Sequence, residues 1–138
     1  MLTCVDHTVR ILIVDDHWAT RQALRNLLSQ FPEVASIDEA EDGARALLLA
    51  RHLSPDVVIM DLFMPVMSGL EATRRIKQEL PGTTIIGFTF TTDAHLLWLM
   101  QQAGATHCLS KDMPSNQLSA AIQEALDTSV RHCAPAVR

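Results

Sequence analysis

One short stretch constrains this chain more than any other: Val57-Val58-Ile59-Met60-Asp61-Leu62-Phe63-Met64-Pro65. A continuous apolar run enters a single carboxylate, and turn signals follow at Met64-Pro65 and Ser68-Gly69. Such a run, bounded by turn residues, fits a strand covered on both faces, the interior strand of a parallel sheet. Aspartate is depleted in strands and costly to bury alone. Asp61 is therefore expected where the strand emerges, at the C-terminal edge that open α/β sheets use for ligands. Its bland alternative is a cap for the loop or the next helix.

The rest of the chain alternates strand and helix around that stretch. Arg10 to Val14 reads as a buried strand ending at Asp15-Asp16, and Trp18 to Phe31 as an amphipathic helix stopped at Pro32. Val34 to Ile37 is a short strand, and Asp42 opens a helix that Ser54-Pro55-Asp56 breaks. Leu70 to Leu80 is amphipathic, with Leu70, Thr73, Ile76 and Leu80 expected inward, and Pro81-Gly82 turns the chain. Thr84 to Phe88 and Thr106 to Leu109 are the last two strands, with a helix from Asp93 to Ala103 between them. A final helix follows Pro114, and its periodicity fades beyond Thr128. This pattern predicts a flavodoxin-like (βα)5 three-layer sandwich with parallel strand order 2-1-3-4-5. The expected boundaries are an N-terminal tail over 1–9, one domain over 10–127, and a linker or partly disordered tail over 128–138.

Charge and cysteine use narrow the class. Eleven basic and 16 acidic residues give a formal net charge of -5, which argues against a general nucleic-acid surface. The cysteines Cys4, Cys108 and Cys133 have no metal-ligand spacing and read as reduced thiols. No stretch resembles a signal peptide or approaches the roughly 18 apolar residues of a membrane span. The expectation is a cytoplasmic domain with no membrane partner.

The predicted strand order places the ends of strands 1 and 3 side by side, with strands 4 and 5 next to them. Asp15, Asp16, Asp61, Thr89 and Lys111 then converge on one crevice. Crowded carboxylates repel, so they take up protons or hold a cation. Hard oxygen donors with room for water suit Mg2+. A carboxylate beside that ion and an ammonium is a candidate nucleophile toward phosphorus.

The motifs I-L-I-V-D-D-H, V-V-I-M-D-L-F-M-P-V-M-S-G-L-E-A, I-I-G-F-T and G-A-T-H-C-L-S-K-D, in that order, resemble the receiver domain of two-component response regulators. The resemblance covers about residues 10 to 127, and it is greatest to receivers that precede a C-terminal helix-turn-helix DNA-binding domain. It implies that Asp61 is the phosphoacceptor, with Asp16 a direct Mg2+ ligand and Asp15 acting through water. The backbone carbonyl of Phe63 completes the metal site by the same analogy. Thr89 becomes the switch hydroxyl, and Lys111 bridges to the phosphoryl group. The implied partner is a sensor histidine kinase. The implied output is a change in the surface of the fourth helix, fifth strand and fifth helix that controls transcription, with DNA reached only through an effector domain absent from this chain. The tail Val130-Arg131-His132-Cys133-Ala134-Pro135 reads as a linker, which favours an excised receiver over a stand-alone regulator.

The chain departs from the family pattern in two side chains. Cys108 stands where an aromatic residue usually lies three positions before the lysine, and alternation points His107 to the other face. Phe90 follows the switch hydroxyl where a small residue is usual, so Phe63 and Phe90 are expected to crowd the approach to Asp61. Of the histidines, His17 alone lies near the acids, and helix-start packing is its expected role. The fourth helix carries more apolar residues than one buried stripe can hold. Leu96, Leu97 and Trp98 are therefore the candidate interface of a phosphorylation-linked homodimer. Two rival classes share parts of this pattern: a pseudo-receiver that no longer takes phosphate, and a haloacid-dehalogenase-like phosphatase. The phosphatase family wants a second Asp two residues after its nucleophile, where this chain has Phe63.

Overall fold

The computed structural model describes residues 9–131, with side chains through Thr128. The strands are β1 (Val9–Val14), β2 (Val34–Ala40), β3 (Val57–Met60), β4 (Thr84–Thr89) and β5 (Ala105–Ser110). The helices are α1 (Trp18–Leu28), α2 (Gly43–Leu53), α3 (Gly69–Glu79), α4 (Ala94–Ala103) and α5 (Ser115–Arg131). The strands form one parallel sheet in the order β2-β1-β3-β4-β5, as expected.

Strand alternation divides the core between the two faces of the sheet. Ile11, Ile13, Val57, Ile59, Ile86 and Phe88 meet Leu24 and Leu28 of α1 and Ile122, Ala125 and Leu126 of α5. Leu12, Val14, Val58, Met60 and Ile85 face α2, α3 and α4 through Ala46, Leu47, Ala72, Ile76 and Met100. Every residue of β3 is buried, which is why its sequence is apolar without alternation. In α3 the inward positions are Gly69, Ala72, Thr73 and Ile76, while Leu70 and Leu80 are only partly covered.

Several edges differ from the expected ones, among them the end of α1 at Leu28 rather than Phe31. Val9 belongs to β1 rather than to a tail, and residues 1–8 lie outside the described part. β2 runs to Ala40, three residues past the expected end, although Asp38 and Glu39 are poor strand formers. The Glu39 carboxylate is held by Arg25 at 2.7 Å and Arg21 at 2.8 Å. Burial opposes its charge, but those two guanidinium groups outweigh it and hold Glu39 below the usual carboxylate range. Lastly, α5 continues through Arg131, so the helix enters the stretch expected to be a tail. The remainder of that stretch, with Cys133, lies outside the described residues.

Side-chain caps set three helix starts. Asp42 accepts from the N–H of Arg45, Ser68 from that of Glu71, and Asp93 from those of His95 and Leu96. The loop between β3 and α3 is tight at both ends. The N–H of Gly69 donates to the carbonyl of Leu62 at 2.9 Å, and a Cβ on Gly69 would lie 1.8 Å from the Asp61 carbonyl oxygen. Only glycine permits that approach. Within the loop, Val66 holds φ at 69°, a region that β-branched residues rarely enter.

An acidic crevice at the carboxyl edge of the sheet

The sheet ladder runs one residue beyond β1 and β3, and this places the acids. The N–H of Asp61 donates to Val14 at 2.9 Å, and that of Asp15 to Ala40 at 3.1 Å. Both side chains emerge where their strands end and are largely shielded from water: Asp15 is 1 % exposed and Asp61 5 %. Asp16, one residue further, is more open. On the other side of β3, the N–H of Lys111 donates to the Thr89 carbonyl at 3.0 Å, which sets the lysine beside the end of β4.

The five residues expected to converge do so. Lys111 Nζ lies 2.7 Å from Asp15 Oδ2 and 3.5 Å from Asp61 Oδ1, with its side chain 5 % exposed. Thr89 is buried, and its hydroxyl accepts from the N–H of Thr91 at 3.3 Å. A cavity of about 360 Å³ opens above Asp61, lined by His17, Phe63, Thr89, Phe90, Thr91 and Lys111. Phe63 and Phe90 thus both wall the approach, each with an exposed ring. Phe90 and Phe88 also lie near the ammonium, 5.4 and 5.8 Å from Lys111 Nζ, within cation–π range. The α4 residues Leu96, Leu97 and Trp98 contribute nothing to this cavity.

The surroundings of Asp61 act strongly on its carboxyl. Burial, and next the charge of Asp15, push its carboxyl up to about 6, and Lys111 offsets only part of that rise. A carboxylate so placed gains from any cation that joins it. Asp15, Asp16, His17 and Asp61 can each aim one donor atom at a common point, the four atoms lying within 4.8 Å of one another. Two buried or half-buried carboxylates with a third close by are the hard oxygen set that a divalent cation takes, so the residues fit Mg2+.

Three features of the site escaped the sequence. The His17 ring does not pack the start of α1, as expected, and makes no side-chain cap there. It leans instead over the acid pair, with Nδ1 3.3 Å from Asp15 Oδ1 and 3.1 Å from Asp16 Oδ1. Arg21 supports the crevice from behind by donating to the Asp15 carbonyl at 2.8 Å. Cys108 lies beside Gly87 on the α4 side of the sheet, its Sγ 3.2 Å from where a Cβ would stand on that glycine. Gly87 thus leaves the strand face open opposite Cys108, and burial pushes the thiol up from its usual range. Adjacency of His17 to Asp15-Asp16 was the one signal that could have revealed its contact.

The sheet order and the acid–lysine crevice at its carboxyl edge define a signal-receiver class of α/β domain. The chain belongs to the response regulator receiver domain family, whose match covers residues 11–123. The transcriptional regulatory protein LiaR of Bacillus subtilis (strain 168) is 38% identical over 117 residues, covering 85% of this chain and 56% of that protein. YdfI of the same organism, also a transcriptional regulatory protein, is 42% identical over 109 residues, covering 79% of this chain and 51% of its own length. The chain spans about half the length of these curated relatives. Among solved structures, a LuxR-family two-component response regulator from Aurantimonas sp. SI85-9A1 superposes with a TM-score of 0.81 at 36% identity. That match covers 88% of this chain and 86% of that one. The receiver domain of the putative response regulator NarL from Mycobacterium tuberculosis gives a TM-score of 0.80 at 30% identity, covering 89% and 97%.

Proposed function

We propose that Asp61 accepts a phosphoryl group from a phosphohistidine on a sensor histidine kinase, and that the domain passes this signal on to transcription. The observation that carries the reading is the placement of Asp61: a nearly buried carboxylate, next to an ammonium and two further acids, at the floor of an open crevice. A Ser or Thr nucleophile would need a base, whereas a carboxylate needs only to be ionised and reachable.

In the proposed transfer an Asp61 oxygen attacks phosphorus, the P–N bond to the kinase imidazole breaks, and the imidazole leaves with the electron pair. Asp16 and Asp61, with the Phe63 backbone carbonyl, would hold Mg2+, and Asp15 would act through a bound water. Both oxygens of Asp15 already have protein partners in Lys111 and His17, which favours this indirect role. When bound, the ion supplies charge stabilisation on the transferring oxygens. Lys111 reaches from Asp15 to a phosphoryl oxygen, and the Thr89 hydroxyl, freed from the N–H of Thr91, donates to another. Phe63 and Phe90 restrict the path of attacking water.

The added charge, near -2, favours a different arrangement of Thr89 and Lys111, and so of the β4–α4 and β5–α5 connections that carry them. The α4 surface is the proposed output. Trp98 stands 52 % exposed, stacked on His95 with ring centroids 6.1 Å apart, while Leu96 and Leu97 are half-buried beside it. We assign to Leu96, Leu97 and Trp98 the self-association face of a phosphorylation-linked homodimer. DNA would be contacted by an effector domain outside this chain, in keeping with matches that cover only 56% and 51% of the curated relatives. A cytoplasmic location follows from that role, and no helix among the described residues is long and apolar enough to cross a membrane.

Incubation with Mg2+ and a small acyl phosphate, followed by intact mass measurement, tests the reading. Gain of one phosphoryl group, about 80 Da, by the wild type and not by Asp61→Asn is the expected result. Steady turnover of phosphate esters would instead indicate a phosphatase, and no adduct an inert receiver-like module.

A further inference from the structure

The proposed transfer gives no task to the His17 imidazole, although its Nδ1 lies within 3.3 Å of a carboxylate oxygen of both Asp15 and Asp16. Its position is not explained by helix capping, since α1 begins without a side-chain cap. The contact that orders this corner comes from the backbone, where the His17 N–H donates to Asp15 Oδ1 at 2.9 Å. Any residue but proline at 17 could supply it. The ring itself is 69 % exposed, so burial does not account for its orientation either.

The distances around Nδ1 suit a shared cation. Ligands about 2.0–2.2 Å from a metal, at tetrahedral to right angles, stand about 2.8–3.6 Å from one another. Nδ1 lies 3.3 Å from Asp15 Oδ1 and 3.1 Å from Asp16 Oδ1, and a donor oxygen of Asp61 completes a group within 4.8 Å. Carboxylates and water alone select hard cations, whereas an imidazole in the set suits Zn2+, Ni2+ and similar borderline metals.

We propose that His17 is a cation-selectivity residue: its Nδ1 joins Asp16 and Asp61 around the bound ion and shifts the preference of the crevice from Mg2+ toward borderline transition metals. The inference rests on the crevice being a divalent-cation site. An occupant held in this way would occupy the place of Mg2+ beside Asp61, with fewer open positions for a phosphoryl oxygen. The competing role for His17, a ring that merely donates a hydrogen bond to the acids, makes it a rival of every cation alike.

Calorimetric titration of the metal-free full chain with Ni2+ and with Mg2+, for wild type, His17→Ala and Asp61→Asn, separates these roles. The proposal expects the preference for Ni2+ over Mg2+ to fall by about tenfold or more in His17→Ala. It also expects Ni2+ binding to be weakened in Asp61→Asn, which locates the ion at the crevice. His52, His95 and His107 belong to no comparable group among the described residues. An unchanged preference in His17→Ala, or a parallel tightening of both metals, overturns the proposal while leaving the Mg2+ site intact. Ni2+ binding that survives fully in Asp61→Asn lies elsewhere and overturns it too. Failure of the wild type to bind either ion overturns the cation-site reading itself, and this proposal with it.

Discussion

The ammonium of Lys111 is bonded to Asp15, at 2.7 Å, and stands 3.5 Å from Asp61. In the unphosphorylated domain it therefore neutralises the acid pair more than the proposed nucleophile. Removing one partner of a buried ion pair leaves an uncompensated charge, at a cost on the order of 3 kcal/mol. Lys111→Met is expected to lose about that much stability in a chelator, by denaturant unfolding. Added Mg2+ should recover much of the loss, because the ion supplies the missing positive charge. A loss that Mg2+ leaves untouched would mean that the lysine acts through packing.

Asp61 links stability to pH in the metal-free protein. Burial and then Asp15 raise its carboxyl to about 6, above the value of an unfolded aspartate near 4. The folded state thus binds the proton more tightly, and its neutral form stabilises the fold at low pH. That contribution is lost as pH rises from about 4 through about 6, and amounts to roughly 2 kcal/mol after allowance for partial solvation. In chelator, Asp61→Asn should gain on the wild type across this window, and Mg2+ should close the gap above it. Parallel stability curves for the two proteins would contradict the assignment.

Val66 stores strain beside the site. A positive φ of 69° in an 84 % exposed β-branched residue brings no packing in return. Val66→Gly is expected to raise stability by about 1 kcal/mol, relief of strain being partly offset by the entropy of the unfolded glycine. A thermal melt showing destabilisation would mean that the valine has a contact that the loop needs.

Trp98 carries the proposed dimer face. Truncating an exposed aromatic anchor of this kind typically weakens association by about 2 kcal/mol, near thirtyfold. Sedimentation of the wild type with Mg2+ and a phosphoryl mimic should show dimer, and of Trp98→Ala mostly monomer, with little change in folding stability. A mutant that dimerises equally well would remove α4 from the interface.

Much of this fold is legible in the sequence. The buried run Val57–Met60 announced a central strand because a parallel strand covered on both faces needs apolar side chains at every position. Once the order 2-1-3-4-5 was set, Asp15, Asp16, Asp61, Thr89 and Lys111 had to share an edge. The far end of β2 is not legible because Asp38 and Glu39 disfavour a strand locally, and the pairing of Glu39 with Arg21 and Arg25 is a tertiary contact between distant residues. The end of α5 was misjudged since hydrophobic periodicity fades where a helix leaves the core, while backbone hydrogen bonds need not. His17 was misread for a related reason. A residue next to two acids can face either them or its own helix, and only the turn out of β1 decides. The partner of Lys111 was equally hidden: Asp15 and Asp61 were both within reach, and a difference of under an ångström separates them.

The central claim is that Asp61 carries the phosphoryl group, and chemical mapping of the phosphorylated chain tests it most directly. After reaction with an acyl phosphate and Mg2+, borohydride reduces the acyl phosphate of an aspartate to homoserine, which peptide mass spectrometry can place. The account predicts homoserine at position 61 and at no other acid. Homoserine at Asp15 or Asp16, or none anywhere despite Mg2+ binding, would contradict it.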